Sequence, residues 1–89
     1  MMIVIGTDIV GTERIGRILA GDRRGAFLKR VLTDRERRDA ERKRGGLERR
    51  FVEFVAGRWA AKEAVAKAFG CGIGAALGFL DIEIRSGGG

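Results

Sequence analysis

Two carboxylates stand where the surrounding residues are apolar. Asp8 lies in MIVIGTDIV, Met2–Val10, and Glu63 lies in the long stretch RRFVEFVAGRWAAKEAVAKAFGCGIG, Arg49–Gly74. An ionised carboxylate among apolar side chains is costly unless it is paired, hydrogen-bonded or bound to a metal. Three cations, Arg58, Lys62 and Lys67, are close to Glu63 in sequence. On a helix, Arg58 and Lys62 sit four residues apart, where like charges repel by about a few tenths of a kcal/mol unless an anion lies between them. Glu63 and Lys67 have the same spacing, in the favourable order. Two readings fit these residue types. In the ordinary one, Asp8 ends a strand or makes an Asx turn, Glu63 and Lys67 form one exposed ion pair, and the other cations are solvated. In the functional one, the carboxylates hold a cation and the neighbouring cations hold phosphate.

The elements that must position these groups can be read from periodicity. In the long stretch, Phe51, Val55, Ala61, Val65 and Phe69 recur at helical spacing. A second stripe runs through Val52, Val55, Trp59 and Ala66, and Glu63 falls on it. Gly70 follows the last apolar residue, where a helix C-cap favours the left-handed conformation. Gly72, Gly74 and Gly78 follow, and glycines at a helix end can let backbone approach a phosphate. A plain turn is the alternative, since phosphate-binding glycines usually precede a helix. Met2–Val10 reads as a strand, with Asp8 its odd member. Thr12–Ala20 reads as a short amphipathic helix with Thr12 as N-cap, a Glu13–Arg17 pair and Gly21 as its stop. Ala26–Leu32 adds one or two helical turns.

Thr33 and Glu36 have capping-box spacing. The helix they open, DRERRDAERKR, is charged all round and is expected to face solvent or a partner. Gly45 and Gly46 break it. Phe79–Arg85 alternates apolar and charged residues, the pattern of a half-exposed strand. The order predicts an α+β fold: one domain of residues 1–89, with a small antiparallel sheet, one long helix and shorter helices. Two strands alone make a poor sheet. The chain is therefore expected to be incomplete at its C-terminal end, or to receive strands from other subunits.

Composition narrows the chemistry. With 89 residues the chain makes one small domain, a size at which partner chains often complete the core. There is no histidine, tyrosine or proline, which excludes histidine acid–base chemistry, Ser–His triads and Cys/His zinc sites among these residues. The lone Cys71 forms no internal disulfide, and no leader-like segment is evident, so a reducing cytoplasm is expected. No apolar run approaches the ~18 residues of a membrane span. The net charge is +6, and its excess lies in Asp22–Arg50, with 12 Arg and Lys against 6 Asp and Glu. That segment is expected to face an acidic partner or water. A nucleic-acid-binding module is the competing reading, although the segment has few aromatics and no recognised motif. An inactive oligomerisation fragment is another.

Several segments together resemble the holo-acyl-carrier-protein synthases, small members of the 4′-phosphopantetheinyl transferases. They are Gly6-Thr7-Asp8-Ile9, Arg14-Ile15, and Phe27 with Arg30-Val31-Leu32-Thr33. The most specific is Phe54-Val55-Ala56-Gly57-Arg58-Trp59-Ala60-Ala61-Lys62-Glu63-Ala64, continued by Lys67-Ala68-Phe69-Gly70 and Gly72-Ile73-Gly74. Phe79 with Asp81-Ile82-Glu83-Ile84 closes the match. The resemblance implies transfer of the phosphopantetheine arm of coenzyme A to a serine of apo-acyl carrier protein, with release of 3′,5′-ADP. It implies Mg2+ held by Asp8 and Glu63, catalytic roles for Asp8, Glu63 and Lys67, and cofactor contacts from Arg58, Lys62, Lys67, Gly70 and Gly72. It further implies a homotrimer and an acidic carrier met by basic residues. Arg14 matches that position directly, with Arg17 and Arg24 as nearby candidates. No nucleic acid or membrane partner is implied. The sequence departs from the family in two ways. Members usually continue past this end with further strands and a Ser-x-[Ser/Thr]-His segment near the cofactor, and Cys71 stands where threonine is usual.

Overall fold

The computed structural model describes residues 9–70, 72–74 and 77–85. Among them the chain runs through α1, Ile9–Ala20; α2, Arg24–Val31; α3, Asp34–Arg44; and α4, Glu48–Ala68; a 3₁₀ turn follows at Phe79–Asp81. α4 is the spine. Its 21 residues span about 31 Å, and both α1 and α3 pack along it. The 3₁₀ turn rests on α2.

Each helix buries one face in a shared core. α1 contributes Ile15 and Leu19, and α2 contributes Phe27 and Val31, both pairs at i,i+4. Leu32 follows α2, Ala40 comes from α3, and α4 supplies Phe51, Val55 and Ala56. α1 and α4 approach closely at Gly16, where an added Cβ would already touch Val52 Cγ1 at 3.6 Å. Farther along, Arg14 lies over the Trp59 ring, 5.9 Å from its centroid. Residue numbers that fall along α1 meet numbers that rise along α4, so the two helices are antiparallel.

The turns follow their chemistry. Leu32 and Thr33 are extended, which separates α2 from α3. The Thr33 hydroxyl accepts from Glu36 N at 3.2 Å, and Thr33 N donates to Glu36 Oε1 at 2.8 Å, completing the expected capping box. Asp34 and Glu36 sit in the first turn of α3, and Arg42, Lys43 and Arg44 in its last, as the helix dipole favours. Gly45 and Gly46 end α3 with φ of 56° and 82°, and Gly70 follows α4 with φ of 80°.

The expected antiparallel sheet is not there: the described residues are helical, with no strand pairing. Of the predicted strand Met2–Val10, Ile9 and Val10 are the first residues of α1, and Met2–Asp8 lie outside the described residues. Thr12 therefore falls inside the helix rather than at its N-cap. The predicted strand Phe79–Arg85 opens as the 3₁₀ turn, with Ile82 extended after it, and has no neighbouring strand among the described residues. Alternation describes which side chains face inward; a sheet also needs a partner backbone. Here one carbonyl and one amide, Phe79 O and Ile84 N, are bonded by side chains.

Two other expectations change. The charged helix α3 is not wholly outward-facing, because Glu36, Asp39 and Ala40 are buried. The α4 stripe ends differently too: Phe69 is 76% exposed, while Lys62 and Ala66 are buried. No helix among the described residues is long and apolar enough to cross a membrane. Replacing Thr33 by alanine removes the cap acceptor and is expected to cost about 1 kcal/mol in urea unfolding, with an unchanged denaturant slope.

Candidate functional site

The site is built on the middle of α4. Lys62 points straight into the protein, with 0% of its side chain exposed. Its ammonium donates to Glu36 Oε1 at 2.5 Å, to the Val31 carbonyl at 2.6 Å and to the Phe79 carbonyl at 3.0 Å. A lysine has three N–H donors, and all three are used. Glu36 is equally buried and equally satisfied. Its Oε1 also takes the Thr33 N–H, and its Oε2 accepts from Ile84 N at 2.8 Å. A buried ion pair is tolerated when its geometry is good and its remaining lone pairs and protons are bonded. Both conditions are met.

Lys62 sets the direction in which its neighbours point. With Lys62 taken as inward, Trp59, Glu63 and Lys67 lie about 60°, 100° and 140° round the helix on one flank. Trp59 meets Arg14, so this flank faces α1. Glu63 is half-buried and makes no hydrogen bond or ion pair with another described residue. The expected Glu63–Lys67 pair does not form, and Lys67 is exposed. From Arg14 back to Ile9 is about 7.5 Å along α1, and from Trp59 on to Glu63 is about 6 Å along α4. The start of α1 and Glu63 therefore stand at about the same level. Asp8 itself lies outside the described residues.

The remaining predicted residues are dispersed. Arg58 lies about 40° to the other side of Lys62, its guanidinium 4.2 Å from the Phe54 ring centroid. Gly70 and Gly72 are exposed beyond the end of α4. Arg14 and Arg17 are exposed on α1. Arg24 has a different occupation. Its Nη1 donates to Glu48 Oε2 at 2.7 Å and to the Leu19 carbonyl at 3.1 Å. Arg44 Nη2 bonds Glu48 Oε1 at 3.0 Å, and both guanidiniums flank the Phe51 ring at 4.8 and 5.2 Å. Arg24 thus joins the end of α1 and the start of α2 to the start of α4.

A magnesium ion takes oxygen ligands and is commonly held by one or two carboxylates, waters and substrate phosphates. The uncommitted, half-buried Glu63 carboxylate suits that role. Among the described residues no group of three metal-ligating side chains gathers. Periodicity missed Glu36, whose capping-box position accounted for it without a second role. Lys62 was legible in principle: with Phe51, Val55 and Ala66 it keeps an i, i+4, i+11, i+15 pattern on the buried face.

Residues 4–88 match the 4′-phosphopantetheinyl transferase superfamily. The chain belongs to that superfamily. It is similar to the holo-[acyl-carrier-protein] synthase of Bacillus mycoides (strain KBAB4), with 50% identity over 86 residues, 97% of this chain and 68% of that protein. The synthases of Bacillus thuringiensis (strain Al Hakam) and Bacillus cereus (strain AH820) are each 48% identical over the same shares. No solved structure matches the chain. The transferase superfamily's match spans all four helices and the 3₁₀ turn.

Two measurements check this geometry. Lys62→Met leaves the Glu36 carboxylate buried without its cation and is expected to cost about 3–5 kcal/mol, while Glu36→Met with Lys62→Met recovers most of it, by urea unfolding. The Glu48 carboxyl is held below its ordinary value, first by the Arg24 hydrogen bond and then by the charges of Arg24 and Arg44. The stabilisation this supplies is present above the unfolded-state pKa and fades as pH falls through the folded one. In Arg24→Gln, the Glu48 titration followed by NMR is expected to move up.

Proposed function

We propose that the chain transfers the 4′-phosphopantetheine group of coenzyme A to a serine of an apo-acyl carrier protein, in the presence of Mg2+, with release of 3′,5′-ADP. Membership of the superfamily and the names of its relatives support the reaction class. The observation that carries the site is the uncommitted Glu63 carboxylate on the α4 flank that faces the start of α1. In this reading Asp8, next in sequence before α1, joins Glu63 as the metal pair. When bound, Mg2+ supplies charge neutralisation on the diphosphate.

The protein's own groups do the rest. Lys67 lies on the Glu63 flank and is free to meet a phosphate oxygen. Arg58 approaches from the other side of α4, and the backbone at Gly70 and Gly72 supports the same cofactor. Lys62 enters the proposal differently, because its three donors are saturated inside the fold. The serine oxygen of the carrier forms the new bond to phosphorus, and the bond from phosphorus to the 3′,5′-ADP oxygen breaks. The serine proton leaves to a base near the site. Exposed Arg14 and Arg17 present positive charge to an acidic carrier, which raises the association rate and weakens with salt. Arg24 gives this surface less, since Glu48 neutralises it.

A homotrimer is part of the reading. Exposed Phe69 and Leu80 offer apolar surface for neighbouring copies. A reducing, cytoplasmic setting fits the single cysteine. Nucleic-acid binding is the weaker alternative, because three cations of α3 are paired within the chain, Arg37 with Asp34, Arg42 with Asp39 and Arg44 with Glu41 and Glu48.

The chain incubated with coenzyme A, Mg2+ and apo-acyl carrier protein is expected to raise the carrier's mass by one phosphopantetheine group. Glu63→Gln is expected to slow that gain by at least the roughly 10–100-fold that losing even an outer partner costs a metal site. A carrier whose mass never changes overturns the reading.

A further inference from the structure

The buried Lys62–Glu36 pair bonds more than itself. Phe79 O takes one Lys62 donor, and the Ile84 amide gives its proton to Glu36 Oε2. Between these two points, the Thr33 hydroxyl donates to Glu83 Oε1 at 2.6 Å. Three hydrogen bonds from three helix-associated side chains thus hold the segment 79–84. That segment contains no partner strand to satisfy its backbone among the described residues. Beside it, Phe79, Leu80 and Asp81 form one wall of a cleft of about 460 Å³, completed by Arg30, Ile73 and Gly78.

We propose that Lys62 is a positioning residue, which with Glu36 straps segment 79–84 across the ends of α2 and α3 and so holds the wall of this cleft in place. The chemistry suits a strap better than a generic core contact. Apolar side chains at positions 62 and 36 would fill the space, but they would take the Lys62 donor from the Phe79 carbonyl and the Glu36 acceptor from the Ile84 amide. Phe79 O would keep only the Ile82 amide at 3.3 Å, the Ile84 amide would turn to water, and the segment would lift from that end. The functional part of this inference rests on the transferase reading: a lifted segment changes the surface next to the cofactor-binding end of α4. Lys62 acts there through the segment and touches no reacting atom.

The test separates the strap from stability. Glu36→Met combined with Lys62→Met removes both charges together, the change that restores folding stability in buried pairs. In that double variant, amide hydrogen exchange at Ile84 is expected to quicken more than tenfold, while the amides of Val55 and Ala56 in α4 exchange as in the unaltered chain. Unchanged exchange at Ile84 overturns the proposal, and so does a loss of protection spread evenly over α4. Lys62→Arg, which keeps a buried donor, is expected to retain more Ile84 protection than Lys62→Met; equal loss in both counts against the strap. In parallel, carrier modification by the double variant is expected to fall at least tenfold in kcat/KM. Wild-type kinetics with a loosened Ile84 overturns the positioning role. If the unaltered chain modifies no carrier, the transferase reading fails, and the exchange ratio at Ile84 still decides the strap.

Discussion

A single buried ammonium organises this protein. Lys62 lies in the middle of the longest helix and is surrounded by a carboxylate and two carbonyls that come from three other places in the chain. Taking both charges of the Lys62–Glu36 pair out of water is expensive, and mutual attraction offsets that cost only when every remaining polar atom is bonded. The fold meets that demand with groups from the end of α2, the first turn of α3 and the segment after α4. The need to satisfy one lysine therefore draws together elements separated by about half the chain.

The same constraint explains the arrangement of the site. Once Lys62 points inward, helical geometry leaves the next residue little choice. Glu63 lies on a flank, half-buried, and shares that side with Trp59 and Lys67. The antiparallel neighbour α1 brings its first turn to the same level. Adjacent residues on a helix do not face one another, and Lys62 is paired with Glu36, so Glu63 stays available. The superfamily to which the chain belongs is that of the 4′-phosphopantetheinyl transferases, and Glu63 is a half-buried carboxylate on this flank that no described residue engages.

Charge is handled in two ways elsewhere. At one end of the bundle, Arg24 and Arg44 enclose Phe51 and share Glu48, which combines an ion-pair network with stacking on an aromatic face. Along α3, several guanidiniums fold back on carboxylates three residues away. These pairs use a carboxylate for each cation, so the segment's net excess remains, with Arg35, Arg38 and Lys43 exposed on α3 and Arg14 and Arg17 exposed on α1.

Local rules carried a large part of the description. The Thr33–Glu36 capping box, the glycine stops at Gly45, Gly46 and Gly70, the long helix and the family motif all depend on residues near one another in sequence, so they could be read from it directly. That Phe79–Arg85 pairs with no strand among the described residues could not be read so, because alternation records which side chains turn inward and says nothing of whether another backbone lies alongside. Nor could the second role of Glu36, or the burial of Lys62, be read locally: Glu36 and Lys62 are 26 residues apart, and Lys62 and Val31 are 31 apart. By itself the sequence determined the long helix, the capping box of α3, the glycine stops and the reaction class. The tertiary structure alone decided which lysine is interior and which carboxylate remains free, since a charge finds its partner by distance in space, and that distance exists only after the helices have packed.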